Sequence, residues 1–93
     1  MDYCVVTFTS SGGAIAAQKV LDGQVPTLIM PVLREISAGC GIALRLAPEV
    51  LSQAAALLER SALRREEYAF YAVSGSGAIL QVRPLDEEEV RHG

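Results

Sequence analysis

An α+β fold, with one antiparallel sheet covered by two helices, is predicted by three features of the sequence. The chain has 93 residues, which is the length of one domain. Four short stretches rich in β-branched and aromatic residues predict strands, and two stretches with apolar residues at helical spacing predict helices. Their order along the chain is strand, helix, strand, strand, helix, strand.

The first half of the chain predicts a strand over residues 3–9, a helix over residues 12–22 and a second strand over residues 27–33. A serine hydroxyl, such as that of Ser10, is a good acceptor for the free N–H groups at the start of the helix. Pro31 has no N–H to donate, which assigns the second strand to an edge of the sheet.

The second half begins with a polar loop over residues 34–41, followed by an alternating strand over residues 42–46. Pro48 suits the first turn of the second helix, and residues 67–73 predict the fourth strand. Residues 1–73 are thus expected to form a single domain.

Residues 74–93 are expected to be a C-terminal extension of that domain. A Ser-Gly-Ser-Gly turn leads into residues 78–82, which can pair back as an extra strand. The acidic residues 86–93 are expected to be solvated.

The βαββαβ order predicts the ferredoxin-like arrangement, in which right-handed crossovers interleave the two halves into a four-stranded antiparallel sheet. In that arrangement the segments 10–13, 34–41 and 60–66 share one end of the domain.

Composition excludes several classes of protein. The net charge of −3 and the 5% aromatic content argue against nucleic-acid binding, which needs cationic stripes or stacking rings. The uncharged run over residues 3–18 is too short to span a membrane, and Asp2 does not fit a signal peptide. Two cysteines without such a signal predict free thiols in the cytoplasm.

Cys40 is the first candidate for chemistry, because it lies between Gly39 and Gly41 in the predicted loop. Flanking glycines leave a thiolate open to backbone N–H donors. Arg34 and Arg45 flank the loop and are candidate cations for lowering the pKa of the thiol. The competing interpretation, equally weighted from these local features, is a small apolar residue in a tight turn.

Other kinds of site fit the sequence less well. Cys4 alternates with apolar residues and is expected in the core. His92, the only histidine, stands next to the chain end, so a Cys–His catalytic pair is not expected. Two cysteines and one histidine do not make a zinc site. No metal or cofactor is predicted, which leaves thiol exchange or sulfur or selenium transfer at Cys40.

Residues 34–45 consist of Arg-Glu-Ile-Ser, then small residues, then Cys-Gly, and then an apolar residue followed by Ala-Leu-Arg. This segment resembles a small bacterial family of selenium/sulfur carrier-like proteins. The resemblance covers about residues 3–73. It implies that Cys40 holds sulfur or selenium as a persulfide-type adduct, with donor and acceptor proteins as partners. Arg34, Ser37 and Arg45 match the polar positions of the motif.

A second hypothesis is a non-catalytic interaction or regulatory module, whose open sheet face pairs with a partner or with another copy of itself. The apolar composition and the extra edge strand favour this reading. A Cys40→Ser substitution separates the two hypotheses, because it should abolish atom transfer and leave assembly intact.

Overall fold

The computed structural model shows an α+β fold with one five-stranded sheet. It describes residues 1–36, 39–75 and 77–92, apart from the side chain of His92. The strands are β1 (Tyr3–Phe8), β2 (Leu28–Pro31), β3 (Ile42–Leu46), β4 (Tyr68–Ser74) and β5 (Gln81–Pro84). The α-helices of the described residues are α1 (Ser11–Leu21), α2 (Leu51–Glu59) and α3 (Glu87–His92).

The strand order is β2-β3-β1-β4-β5, and every neighbouring pair is antiparallel. The strand pair of each half therefore has a strand of the other half between its members, as the interleaved arrangement requires. The extra strand predicted over residues 78–82 is present, a few residues further along the chain. The extra strand is β5, which begins at Gln81 after a 3-10 turn over Gly77–Ile79 and pairs with β4.

Strand β1 occupies the centre of the sheet and is buried on both faces. On one face its side chains pack under α1 and α2, in a core that includes Phe8, Leu44 and Leu58. On the other face, Val5 and Val73 form a second apolar cluster, which Ile36 and the half-buried Leu80 join. The chain thus covers much of the sheet face that the interaction hypothesis expected to be open.

Helix α1 begins where the serine cap was predicted. The backbone N–H of Gly13 donates to Oγ of Ser10 at 3.1 Å, and Gly23 follows the helix with a positive φ of 75°. Helix α2 is entered through a 3-10 turn over Pro48–Val50. Among the described helices, none combines the length and the apolar character needed to cross a membrane.

Strand β2 is shorter than predicted and lies at the sheet edge to which Pro31 assigned it. Its outer side is not covered by another strand of the described chain. Leu28 and Ile29 are therefore large apolar residues with 66% and 59% of their surface exposed.

Asp86, Glu87, Glu88 and Arg91 are exposed, as expected of a solvated tail, but the segment also forms a helix that was not predicted. Glu89 N–H donates to Oδ1 of Asp86 at 2.7 Å, and Asp86 N–H donates to Oε1 of Glu89 at 3.3 Å. This reciprocal pair is a capping box, which stabilises the start of a helix. Helix α3 then buries Val90, and Leu85 ahead of it, in the core under the sheet.

We expect Asp86→Ala to lower the free energy of unfolding by about 1 kcal/mol, because the variant leaves the N–H of Glu89 in the first turn of α3 without its acceptor. Glu88→Ala, at an exposed position of the same turn, is the matched control and should change it by less than about 0.5 kcal/mol. Urea unfolding followed by circular dichroism measures both. Equal effects of the two substitutions would contradict the capping role.

Candidate functional site

Cys40 lies at the end of the sheet where β1 runs into α1. Its backbone N–H donates to the carbonyl oxygen of Phe8 at 3.2 Å, two residues out of the register that pairs Thr7 with Ala43. The side chain faces the helices, and 5% of the residue's surface is exposed. The thiol is therefore held in the rim of the core.

The sulfur of Cys40 receives a backbone hydrogen bond. The N–H of Ile42 donates to Sγ of Cys40 at 3.4 Å. An anionic sulfur atom is a stronger hydrogen-bond acceptor than a neutral one, so this N–H is a suitable partner for an anion held on Cys40. This donor is a main-chain group, so no pattern of side chains in the sequence reveals it.

The two glycines beside Cys40 have different surroundings. A Cβ atom on Gly39 would stand 2.3 Å from the carbonyl oxygen of Thr9, closer than two such atoms can come. A Cβ on Gly41 would meet nothing within 4 Å. Gly39 therefore lets the Cys40 segment approach the backbone of Thr9, whereas the surroundings of Gly41 leave room for a larger residue.

The three segments predicted to share one end of the domain do meet there. Thr9 N–H donates to the carbonyl of Glu67 at 3.1 Å, and Gly13 packs close to the side chain of Leu63. Beside Gly39 is a small cleft of about 170 Å³. Its lining residues are Thr7, Phe8, Thr9, Gly39, Glu66, Glu67, Tyr68, Ala69 and Tyr71.

Two arginines at this end are already paired. Arg64 lies 3.5 Å from a carboxylate oxygen of Glu66, and Arg65 lies 3.7 Å from one of Glu87. Arg65 also donates to the carbonyl oxygen of Tyr68 at 2.6 Å. Both guanidinium groups are thus engaged by carboxylates of their own surroundings.

The structure places only some of the residues that were predicted to act with Cys40 close to it. Gly39 and Gly41 are its chain neighbours, and Arg34 is exposed in the preceding loop. Arg45 lies five residues along β3, about 16 Å away at the rise of an extended strand. Its guanidinium is on the opposite face, 4.0 Å from the centre of the Tyr3 ring. Ser37 lies outside the described residues.

Cys4 lies in the core, as predicted, with 0% of its surface exposed. Burial raises the pKa of its thiol to about 11, an effect that the positive amino terminus partly offsets. Its Sγ–H contacts Sδ of Met1 at 3.1 Å. Cys4 and Phe8 are at opposite ends of β1, about 13 Å apart along the strand, so the strand separates Cys4 from Cys40 and both thiols are free.

A protein-family model matches residues 3–69, a range that includes the Cys40 loop and helices α1 and α2. Its description is "Putative Se/S carrier protein-like". The chain belongs to this family. The match ends inside β4, so the segment that forms β5 and α3 in this member of the carrier-like family lies beyond it. Neither the curated proteins nor the solved structures include a match to the chain.

We expect Gly39→Ala to destabilise the protein by about 1–3 kcal/mol, because the added methyl group must push the Cys40 segment away from Thr9. Gly41→Ala is the matched control on the other side of the same cysteine. It should be close to neutral, since its methyl group meets open space. Chemical unfolding of the two variants tests this, and similar losses in both would contradict the close approach at Gly39.

The raised pKa of Cys4 predicts a loss of stability at alkaline pH. In the unfolded chain this thiol ionises near 9.0, whereas in the folded protein it stays protonated up to about 11. Its stabilising contribution is therefore complete below pH 9 and is lost between pH 9 and 11, by about 2 kcal/mol.

Cys4→Ala should make the free energy of unfolding fall less steeply over that pH range than in the wild type. Burial also raises the pKa of Tyr68, so some slope should persist in the variant. An unchanged slope would show that the Cys4 thiol does not titrate as described.

Proposed function

We propose that the protein is a sulfur or selenium carrier that holds the atom as a persulfide or selenopersulfide on Cys40. The observation that carries the proposal is the N–H of Ile42 directed at Sγ of Cys40, in a chain of the Se/S carrier-like family. An anionic terminal sulfur or selenium gains from such a donor in the same way as a thiolate does. Gly39, Gly41, Ser37 and the exposed Arg34 are the proposed further contacts of that anion.

The transfer step needs no strong general base. The Cys40 thiolate attacks the terminal sulfur of a donor persulfide, R–S–SH. A new S–S bond forms on Cys40 as the donor's S–S bond breaks, and the donor leaves as the thiolate R–S⁻. Atoms and charge balance, and no oxidant or reductant is consumed. Passing the sulfur to an acceptor thiol is the same exchange in reverse, so donor and acceptor proteins are the proposed partners.

Transfer requires an opening motion, because Cys40 has 5% of its surface exposed. The proposed motion is a displacement of residues 39–41 away from β1. It breaks the hydrogen bond from Cys40 N–H to the carbonyl of Phe8 and the hydrogen bond from Val32 N–H to the carbonyl of Gly41. Arg45 faces the other side of the sheet and stacks on Tyr3, so the proposed contacts of the anion do not include it.

The proposal also includes the topology of the fold and the division of the chain. We propose that residues 1–73 form a ferredoxin-like unit, a reading supported by the strand order β2-β3-β1-β4. Residues 74–93 are proposed as an extension, which adds a strand to that unit and covers part of its core. The reducing cytoplasm is the proposed compartment, since the chemistry needs cysteines that are free thiols.

The persulfide proposal predicts that the folded protein gains one sulfur atom from a low-molecular-weight persulfide donor, and that the gain maps to Cys40. Cys4→Ala should gain the same single sulfur, because Cys4 is fully buried with a raised pKa. Cys40→Ser should gain none. Intact mass spectrometry without reductant, followed by peptide mapping, measures all three.

The same reaction on urea-unfolded protein is the positive control, in which both cysteines should be modified. A folded wild type that takes up no sulfur while the unfolded chain takes up two would overturn the proposal. Sulfur that maps mainly to Cys4 in the folded protein would also overturn it. In either case Cys40 would be a packing residue of the loop.

The second candidate function, an interaction module, is favoured by the exposed edge of the sheet. Leu28 and Ile29 expose most of their surfaces on β2, and an edge strand offers unpaired backbone groups to another strand. The proposed interaction surface of this second candidate is therefore the β2 edge of the sheet instead of the sheet face. Cys40→Ser discriminates here too, because an edge-paired assembly seen by sedimentation should survive that substitution unchanged.

A further inference from the structure

A second recess lies at the opposite end of the sheet from Cys40. It has a volume of about 430 Å³, within the range of pockets that hold small molecules. Most of its walls are apolar. The lining residues are Asp2, Tyr3, Pro26, Thr27, Leu28, Arg45, Leu46, Ala47 and Val50. We call this recess the Arg45 cleft.

Arg45 is the cation of the cleft, and its position is fixed. The guanidinium carbon stacks 4.0 Å from the centre of the Tyr3 ring, and the register of the sheet sets Leu28 opposite Arg45. Within the described residues no carboxylate comes within ion-pair distance of this guanidinium. A stacked guanidinium keeps its planar N–H edge for binding a carboxylate in a bidentate manner.

Asp2 is the anion of the cleft, and it too is held in place. Its N–H donates to the carbonyl of Val73 at 2.8 Å, and one of its carboxylate oxygens accepts from the N–H of Gly75 at 2.8 Å. The lining of the Arg45 cleft therefore includes one guanidinium, one carboxylate whose other oxygen accepts from no donor among the described residues, and apolar walls. A small zwitterion with an apolar side chain complements these two charged groups and the apolar walls.

We propose that the Arg45 cleft binds a free apolar α-amino acid. Its carboxylate pairs with Arg45, its ammonium group faces Asp2, and its side chain lies against the exposed Leu28 and the half-buried Val50. Both charges must be carried by one small molecule, so neither terminus of a peptide satisfies the cleft. The ligand is non-covalent, and no bond is made or broken.

The site is independent of the sulfur chemistry. Tyr3 and Phe8 are the two ends of β1, about 17 Å apart, so the cleft and Cys40 share a strand and no side chain. Cys40→Ser should bind the amino acid as the wild type does. The amino acid therefore tests the Arg45 cleft, whatever the outcome of the persulfide experiment.

The probe is L-leucine, titrated calorimetrically and by two-dimensional amide NMR into the full chain. We expect saturable binding, with shifts centred on the Arg45 cleft. Three analogues should each bind roughly tenfold more weakly or worse: leucinamide lacks the carboxylate, N-acetyl-leucine lacks the ammonium group, and glycine lacks the apolar side chain.

Arg45→Gln and Asp2→Asn should each weaken leucine binding by a similar factor, since both are surface substitutions that remove one charge. Arg34→Gln, at an exposed arginine outside the cleft, is the matched control and should leave binding unchanged. Circular dichroism and urea unfolding confirm that each variant is folded. No saturable shift in the millimolar range, equal binding of N-acetyl-leucine and leucine, or an equal loss in Arg34→Gln would each overturn the proposal.

Discussion

The side chains of β1 are buried on both faces of the sheet. Val5 and Val6 point in opposite directions, and each has 0% of its surface exposed, a burial that contributes about 1.5–3 kcal/mol per valine. A strand buried in this way needs a layer on either side and a partner along either edge. The helices, the Ile36 and Leu80 contacts, and strands β3 and β4 supply these. The rest of the chain is arranged around this strand.

The two candidate sites are consequences of where β1 ends. At its C-terminal end the carbonyl of Phe8 holds the N–H of Cys40, and Gly39 allows the loop to come close to the backbone of Thr9. At its N-terminal end the ring of Tyr3 carries the guanidinium of Arg45. Because one strand separates the two, the proposed carrier site and the proposed amino acid cleft occupy opposite ends of a single sheet.

How well the sequence predicted each part depended on how local the signal was. Strand β3 was predicted at its observed bounds, because strict alternation is flanked by Gly41 and Pro48. Helix α3 was missed, since its acidic residues suggested solvation, although the Asp86–Glu89 spacing is a local capping signal. The odd spacing from Cys40 to Arg45 already implied opposite faces of a strand. The backbone contacts of Cys40 depend on long-range pairing, which no local pattern encodes.

The separation of the two thiols determines how the protein can respond to oxidation. An internal disulfide needs Cα atoms within about 7 Å, and the length of β1 keeps Cys4 much further than that from the Cys40 loop. Cys40 consequently has no resolving cysteine in its own chain. Any adduct formed on it persists until a thiol from another molecule attacks it. Its lifetime is therefore set by the concentration and access of that second molecule, which makes discharge a bimolecular event.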